Sequence, residues 1–210
     1  MAATILPNVG QGAGCFSKDQ TIQVDGELVR MCEILPKMRT VVLADETNFS
    51  ADQTQILTFL HYDEDSRADF LQVRTKEDHY IEMTYDHLIF SKMGVESPQW
   101  IPAKKLTTEH MLLHFDGVVF NWEKITQTSM IERNNGLYAP FSDEGTLIVN
   151  GFVVSCYAPF MHWCSHDLAD LGMEPLRAYY KVFVNKNNKI KGIHPYLNFL
   201  FSSGKMLKIV

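Results

Sequence analysis

Residues 136–150 read GLYAPFSDEGTLIVN, and a few positions later residues 154–158 read VSCYA. Asn134-Asn135-Gly136 in front of this stretch is a turn signal. Thr146–Val154, which connects the two quoted stretches, is an apolar run of the kind that forms a strand. The stretch therefore predicts short strands that are separated by turns.

The same pattern extends from this stretch back to Cys15. Asp25-Gly26 between Thr21–Val24 and Glu27–Met31 is a strong hairpin signal, and Asp116-Gly117 marks another turn. Further strand-like runs are Thr40–Leu43, Gln55–Tyr62, Phe70–Arg74, His79–Thr84, Met111–Phe115, Val118–Trp122 and Lys124–Met130. Short strands at this spacing indicate an all-β body rather than βαβ units.

The character of the chain changes beyond the VSCYA stretch. His166–Phe183 has apolar residues at helical spacing, interrupted by Gly172 and Pro175. Ile193–Val210 is apolar and aromatic. We expect residues 157–210 to form a smaller, partly helical appendage with an apolar face that packs on the β body.

Composition and charge exclude several classes of protein. The 210 residues are 46% hydrophobic and 21% charged, which is typical of an ordered globular protein. The net charge of −6 and the lack of a basic run argue against binding to nucleic acid. No apolar stretch approaches the ~20 residues that span a bilayer. Residues 1–14 lack the features of a signal peptide and are interpreted as the flexible end of an upstream segment.

The cysteine pattern does not predict a metal site. The four cysteines contain no Cys-x-x-Cys pair, and no spacing matches a zinc finger or ribbon. One cluster is close in sequence but has irregular spacing, and ordinary core and surface roles explain it better: Cys156, His162, Cys164 and His166. We expect no metal and no other cofactor, and we assign no chemistry to Cys32 or Cys164.

Cys15 is a candidate nucleophile because it follows Gly14 at the end of the leader. Its thiol can attack the preceding carbonyl and convert the amide to a thioester, if the fold bends that peptide bond. A free thiol has a pKa near 8.5, so the site must activate it. The departing nitrogen must also be protonated by a general acid. A Gly-Cys pair alone is a weak signal.

Thr84-Tyr85-Asp86-His87 has the Thr-x-x-His pattern of Hint domains, which Hedgehog proteins and inteins share. In those domains the His protonates the departing nitrogen and the Thr hydroxyl helps to hold the scissile peptide. Together with Gly14-Cys15-Phe16 upstream, the resemblance implies that Cys15, Thr84 and His87 are catalytic.

The longest match is the stretch quoted first, which resembles the closing block of the Hedgehog Hint domain. Gly192-Ile193-His194 with Tyr196 resembles the region that recognises the acceptor in Hedgehog proteins. The chain is thus similar, from Gly14 onward, to a Hedgehog-type carboxyl-terminal autoprocessing domain, including nematode-like relatives. Inteins need a terminal His-Asn for splicing, whereas Asn150 is followed by Gly151, so we expect cleavage at one bond.

This resemblance implies a fold and a division of the chain. The fold is an all-β Hint fold with two subdomains related by a pseudo-two-fold axis, plus a small, partly helical appendage. The expected divisions are an upstream segment at 1–14, an autoprocessing domain at 15–156 and an acceptor-recognition region at 157–210. Four residues of the last region are expected to contact the acceptor: Tyr196, Leu197, Phe199 and Leu200.

The second step departs from the family pattern at one residue. In Hedgehog proteins the hydroxyl of cholesterol attacks the thioester. An Asp that follows a Phe and a hydrophobic residue activates this hydroxyl. The corresponding three residues in this chain are Phe59-Leu60-His61, so His61 occupies the position of the Asp. A neutral imidazole can also accept a proton from an alcohol. Asp63 and Asp65 lie nearby, but they would require a shifted alignment.

Two points stay open from the sequence. The acceptor is a sterol or a smaller alcohol such as glycerol, and water would give cleavage alone. Cys156 is either a redox partner that forms a reversible disulfide with Cys15 or a buried structural thiol.

The predicted function is a single-turnover self-cleavage at Gly14–Cys15, followed by transfer of the upstream fragment to an alcohol. The resemblance implies an upstream signalling fragment in the same chain, processing in the secretory pathway, and a product that is secreted or held at the cell surface. We expect a monomer whose appendage contacts a membrane or lipid. The rival hypothesis is a Hint-like binding module that has lost its processing activity.

Overall fold

The computed structural model describes residues 14–158, 166–183 and 189–206. These residues form strands, two helices and two 3₁₀ turns, at Met31–Glu33 and Ala103–Lys105. The elements are β1 Thr21–Val24, β2 Glu27–Arg30, β3 Arg39–Asp45, β4 Ser50–Asp63, β5 Ala68–Thr75, β6 Tyr80–Met83, β7 Leu88–Met93, β8 Gln99–Pro102, β9 His110–Phe115, β10 Phe120–Arg133, β11 Leu137–Ser142, β12 Thr146–Val149, β13 Phe152–Ser155, α1 His166–Phe183, β14 Gly192–Ile193 and α2 Pro195–Met206.

The strands join in one mostly antiparallel sheet in the order β11-β4-β3-β1-β12-β13-β7-β9-β10-β5-β6. Two 14-residue strands, β4 and β10, each pair with one strand along their first part and with another along their second part. The first part of β4 pairs with β3 and its second part with β11, while the first part of β10 pairs with β9 and its second part with β5.

This pairing makes the two halves of the body exchange a strand. β5 follows β4 in the chain but pairs with β10, and β11 follows β10 but pairs with β4. The two long strands therefore play equivalent roles in two similar subdomains. The predicted all-β fold with pseudo-two-fold subdomains is confirmed.

Several predicted strands have different boundaries in the structure. Thr146–Val154 is a hairpin rather than one strand, since Asn150 and Gly151 adopt φ angles of 48° and 86° and turn the chain. Val118–Trp122 and Lys124–Met130 lie largely in the single strand β10. In both cases an apolar pattern shows where extended chain occurs, but the turn residues and the pairing partners decide where a strand ends.

The predicted interruption of the first helix is wrong. α1 is continuous with Pro175 inside it. A proline in a helix interior costs about 3 kcal/mol, but the buried side of α1 offsets this through Met173 and Leu176, which join the main core. α2 begins at Pro195, where the missing N–H of proline costs no helical hydrogen bond.

The carboxyl-terminal region is built into the body. β14 adds to β4, with Ile193 opposite His61. Leu197 of α2 belongs to the same core cluster as Cys15. The buried Arg177 of α1 donates to the Tyr157 hydroxyl and pairs with Asp170. The division at residues 156 and 157 stays a prediction.

Neither helix in the described part of the chain is long and apolar enough to cross a membrane.

Two hairpin glycines allow a matched test of the packing around β13. Gly26 and Gly151 both have positive φ, near 89° and 86°. A Cβ at Gly26 would meet nothing within 4 Å, whereas one at Gly151 would collide with the His114 ring. We expect Gly26→Ala to lower the free energy of unfolding by about 1 kcal/mol and Gly151→Ala by about 3 kcal/mol. Urea unfolding in a Cys15→Ala background measures both, and equal losses would contradict this packing.

Candidate active site

The predicted nucleophile, Cys15, lies in the interior, where residues 14–17 run between β6 and β11. Phe16 forms bridges to Met83 and Tyr138, and its N–H donates to the Tyr138 carbonyl at 2.8 Å. Cys15 beside it is 0% exposed. The peptide around Cys15 is therefore fixed by backbone pairing on both sides.

Thr84 binds the peptide of Cys15 at two points. The Cys15 N–H donates to the Thr84 hydroxyl at 3.1 Å, and the Thr84 N–H donates to the Cys15 carbonyl at 2.9 Å. That Cys15 nitrogen is the leaving group if Gly14–Cys15 breaks. The structure thus brings Thr84 to the bond for which the sequence predicts a role.

His87 lies against Gly14, whose carbonyl is the predicted point of attack. A Cβ added at Gly14 would collide with Nδ1 of His87. Nε2 donates to the Ser155 carbonyl at 2.8 Å, while Nδ1 is buried with no hydrogen-bond partner among the described residues. Because Nε2 carries the proton of the neutral ring, Nδ1 presents a lone pair towards Gly14. Sequence reasoning did not assign Ser155, although it lies in the VSCYA stretch.

Burial sets the resting charges of this site. It lowers the pKa of His87 to about 4, and it raises the pKa of the Cys15 thiol above its usual range. At neutral pH the resting groups are therefore a neutral imidazole and a protonated thiol. Any attack by sulfur requires a direct transfer of the thiol proton to a neighbouring base.

His61 also contacts the Cys15 sulfur. It lies on β4, is 4% exposed, and places Nδ1 at 3.4 Å from Sγ of Cys15. Burial lowers the pKa of His61, an effect that the nearby Asp63 partly opposes. Asp63 accepts a hydrogen bond from Ser66, and Asp65 pairs with Lys191. Of the three side chains that the sequence offers, His61 is the one shown in contact with the sulfur.

Ile193 of β14 pairs with His61, and the next residue, His194, contacts the same part of the site. The N–H of His194 donates to the Leu60 carbonyl at 2.8 Å. Nε2 of His194 contacts the Tyr180 hydroxyl at 2.9 Å, and Thr58 donates to that hydroxyl at 3.1 Å. Sequence reasoning gave no role to Tyr180 or Thr58; only the resemblance of the segment with His194 pointed to this place.

Cys156 is also buried in the interior. Its sulfur lies 3.5 Å from both the amide nitrogen and the hydroxyl oxygen of Ser142. Burial raises the pKa of Cys156 to about 11. Cys156 and Cys15 are thiols in the structure. A disulfide between them under oxidising conditions stays a prediction.

The four residues expected at the acceptor lie on α2 in different environments. Leu197 is 2% exposed and packs in the core, and Leu200 packs against that core. The Tyr196 hydroxyl donates to the Gly172 carbonyl, whereas Phe199 is 64% exposed. Their role in acceptor binding stays a prediction. Of the irregular cysteine and histidine cluster, His162 and Cys164 lie outside the described residues.

The comparisons identify the class of protein. The Hint module family model matches residues 7–209, and the chain belongs to this family. Among its relatives, Indian hedgehog protein of Xenopus laevis is 26% identical over 203 residues, covering 92% of this chain and 48% of that protein. Warthog protein 6 of Caenorhabditis elegans is 27% identical over 152 residues, covering 71% and 25%. The predicted resemblance to Hedgehog and Hedgehog-related proteins is confirmed, and the chain spans half or less of these relatives.

Solved structures agree on the fold. A DnaB intein from Synechocystis sp. PCC 6803 superposes with a TM-score of 0.55 at 13% identity, covering 68% of this chain and 98% of the intein. The DnaX mini intein from Spirulina platensis gives a TM-score of 0.54 at 20% identity, covering 67% and 98%. At these identities the likeness shows a shared fold.

The buried neutral state of His87 predicts how stability depends on pH. Since its folded pKa of about 4 lies below the ordinary 6.5, its contribution is complete above pH 6.5 and is lost as the pH falls towards 4. We expect Cys15→Ala protein to lose about 2 kcal/mol more between pH 7.5 and 4.5 than a Cys15→Ala, His87→Gln protein. Urea unfolding at both pH values measures this, and parallel losses would show that His87 is not held neutral by the fold.

Proposed function

We propose that this chain cleaves its own Gly14–Cys15 bond and transfers the upstream fragment to an alcohol. One observation carries the proposal. The Cys15 nitrogen is bound by the Thr84 hydroxyl, while the Cys15 sulfur contacts His61 and the residue on the other side of the bond contacts His87. Nucleophile, leaving nitrogen and two imidazoles meet at one peptide bond.

In the first step the Cys15 sulfur attacks the Gly14 carbonyl carbon. The S–C bond forms, the neutral His87 takes the thiol proton at Nδ1, and the C–N bond breaks as His87 gives this proton to the Cys15 nitrogen. The low pKa of His87 makes its protonated form a strong acid for a poor leaving group. His87 ends in its neutral resting state, and His61 stays neutral for the second step. The products are a thioester at Gly14 and a new amino terminus at Cys15.

In the second step the acceptor oxygen attacks the thioester carbon. Neutral His61 takes the hydroxyl proton, the O–C bond forms, and the Cys15 sulfur leaves and recovers that proton. Because Nδ1 of His61 lies within 3.4 Å of the sulfur, an alcohol at the thioester lies within reach of the same ring. His61 can therefore activate the acceptor hydroxyl, which is the role that an Asp has in the family pattern.

The surface of the two helices supports an acceptor with an apolar body. Val182 and Phe183 of α1 are 71% and 74% exposed, and Phe199 of α2 is 64% exposed. Solvent-exposed large apolar side chains of this kind suit a sterol or another lipid. Glycerol and water are the other acceptors that the test must separate.

We infer the wider setting of the reaction by analogy with the relatives. Hedgehog and Warthog proteins are about twice or more the length that this chain covers. We therefore place a signalling fragment upstream in the same polypeptide, a monomeric precursor in the secretory pathway, and a secreted or surface-bound product. An inactive binding module is disfavoured, because the contacts of Cys15, Thr84 and His87 are all in place.

An alcohol and dithiothreitol, used as alternative nucleophiles on the thioester, distinguish the role of Cys15 from that of His61. We expect Cys15→Ala to abolish every cleavage of a reporter fused upstream. His61→Ala should lower transfer to the alcohol at least tenfold and change cleavage by dithiothreitol less than threefold, since a thiol attacks the thioester without a strong base. Mass spectrometry of both fragments measures each rate.

A conservative variant and a matched histidine complete this experiment. His61→Asp should recover part of the alcohol transfer, and His110→Ala, on β9, should leave both rates unchanged. Normal alcohol transfer by His61→Ala would remove His61 from the mechanism. Persistence of the intact chain with dithiothreitol in the unaltered protein would remove the proposed function itself.

The exposed apolar side chains test the class of acceptor. We expect Val182→Ser with Phe199→Ser to slow transfer to a sterol at least fivefold, because the acceptor loses apolar contact area, and to leave dithiothreitol cleavage unchanged. Ester products are measured by mass with sterol, with glycerol and with neither. Equal sterol transfer by the double variant would exclude this surface from acceptor binding, and a glycerol ester alone would exclude a sterol acceptor.

A further inference from the structure

A second cluster of titratable side chains lies where three elements meet, and the cleavage mechanism uses none of it. His114 is on β9, Glu123 on β10, and His79 directly precedes β6. Because β9 and β10 form a hairpin in which Asn121 pairs with His114, the side chains of His114 and Glu123 lie on one face of the sheet. The turn from β5 brings His79 to the same face.

The three side chains converge on one carboxylate. Nδ1 of His79 lies 2.9 Å from Oε1 of Glu123, and Nδ1 of His114 lies 3.1 Å from the same oxygen. The Thr75 hydroxyl donates to Oε2 at 2.7 Å and orients the carboxylate. One nitrogen or oxygen from each of the three residues lies within 4.8 Å of the other two.

Burial makes this arrangement costly without a positive charge. Glu123 is 4% exposed and His114 6% exposed, so the carboxylate has left water and requires a cationic partner. Protonation of both imidazoles is an unfavourable way to provide this positive charge. The rings of His79 and His114 stack at 4.2 Å between centroids and 7° between planes, and two stacked cations repel each other.

The surroundings of His114 fit a metal ligand better. Its Nε2 edge lies against the backbone of the turn at Asn150 and Gly151. Since Nδ1 faces Glu123, Nε2 is the nitrogen that faces this backbone. A metal-binding histidine commonly donates its second N–H to a backbone carbonyl, which fixes the tautomer and the ring orientation. The neutral ring then directs the Nδ1 lone pair at the carboxylate.

We propose that His79, His114 and Glu123 bind a divalent transition-metal cation, with Zn²⁺ the best fit. Two imidazole nitrogens and one carboxylate are a ligand set that Zn²⁺ takes, with a fourth position left for water or another ligand. That position faces a cleft of about 640 Å³ to which Asp78 and Asp116 add negative charge. The cation replaces the repulsion between converging lone pairs with three bonds.

The proposed site would join three parts of the fold. It connects the β9–β10 hairpin to the turn before β6, and through Gly151 it adjoins the β12–β13 hairpin that leads to Ser155. Metal binding should therefore stabilise the body. The site does not depend on the proposed cleavage, so the two proposals can fail separately.

The test uses purified Cys15→Ala protein, which stays uncleaved and lacks the active-site thiol as a competing ligand. Zn²⁺ is titrated by calorimetry at pH 7.5 after chelator treatment, and Co²⁺ is bound in its place for visible spectroscopy. We expect Kd to rise at least tenfold in His79→Gln, because one of three ligands is lost. At a Zn²⁺ concentration one hundred times Kd, Tm should rise by about 5–10 °C.

Matched variants decide the assignment. Glu77→Gln removes a charge from the same exposed turn and should change Kd less than twofold. His79→Gln should melt within about 2 °C of its parent without metal, since His79 lies at the surface. An unchanged Kd in His79→Gln, a Co²⁺ spectrum with thiolate charge-transfer bands, or a parent Kd weaker than about 1 mM would each overturn the site.

Discussion

The two hydrogen bonds between Thr84 and the peptide of Cys15 are the constraint on which the proposed chemistry depends. They hold the Cys15 nitrogen and carbonyl at 3.1 and 2.9 Å from Thr84 and so fix the orientation of the Gly14–Cys15 bond. An amide is inert in water, and a buried thiol with a raised pKa is a weak nucleophile. Only positioning close to proton donors and acceptors can make the pair react, and Cys15 and His87 are accordingly buried completely in the protein interior.

The strand exchange between the two subdomains supplies that positioning. β11 pairs with β4 and places Tyr138 against Phe16, while the end of β6 places Thr84 against Cys15. The same exchange gives His61 its place, because β4 carries it into the interior between β11 and β14. A site of this kind needs strands that are far apart in the chain, and its assembly therefore depends on the complete fold.

The appendage and the body share one core, which changes how the chain can be tested. Leu176 of α1 and Leu197 of α2 pack with residues of the β body, and Arg177 is buried against Tyr157. Deleting residues 157–210 would expose this core, so single exposed side chains are better probes of acceptor recognition.

Glycine and aspartate residues in turns mark the strand ends well, because few residues tolerate positive φ.

The sequence by itself determined the all-β class, most strand positions, the extent of α1 and the family, because strand-like apolar runs, turn residues and a long motif are local patterns. It also indicated Cys15, Thr84, His87 and His61 as the chemical residues. Tertiary structure decided what no local pattern encodes: the contact of His61 with the Cys15 sulfur, the bond from His87 to Ser155, and the continuity of α1 through Pro175. It alone brought together His79, His114 and Glu123. Contacts between distant residues arise from strand pairing and packing, whose energies depend on partners that a single stretch of sequence does not contain.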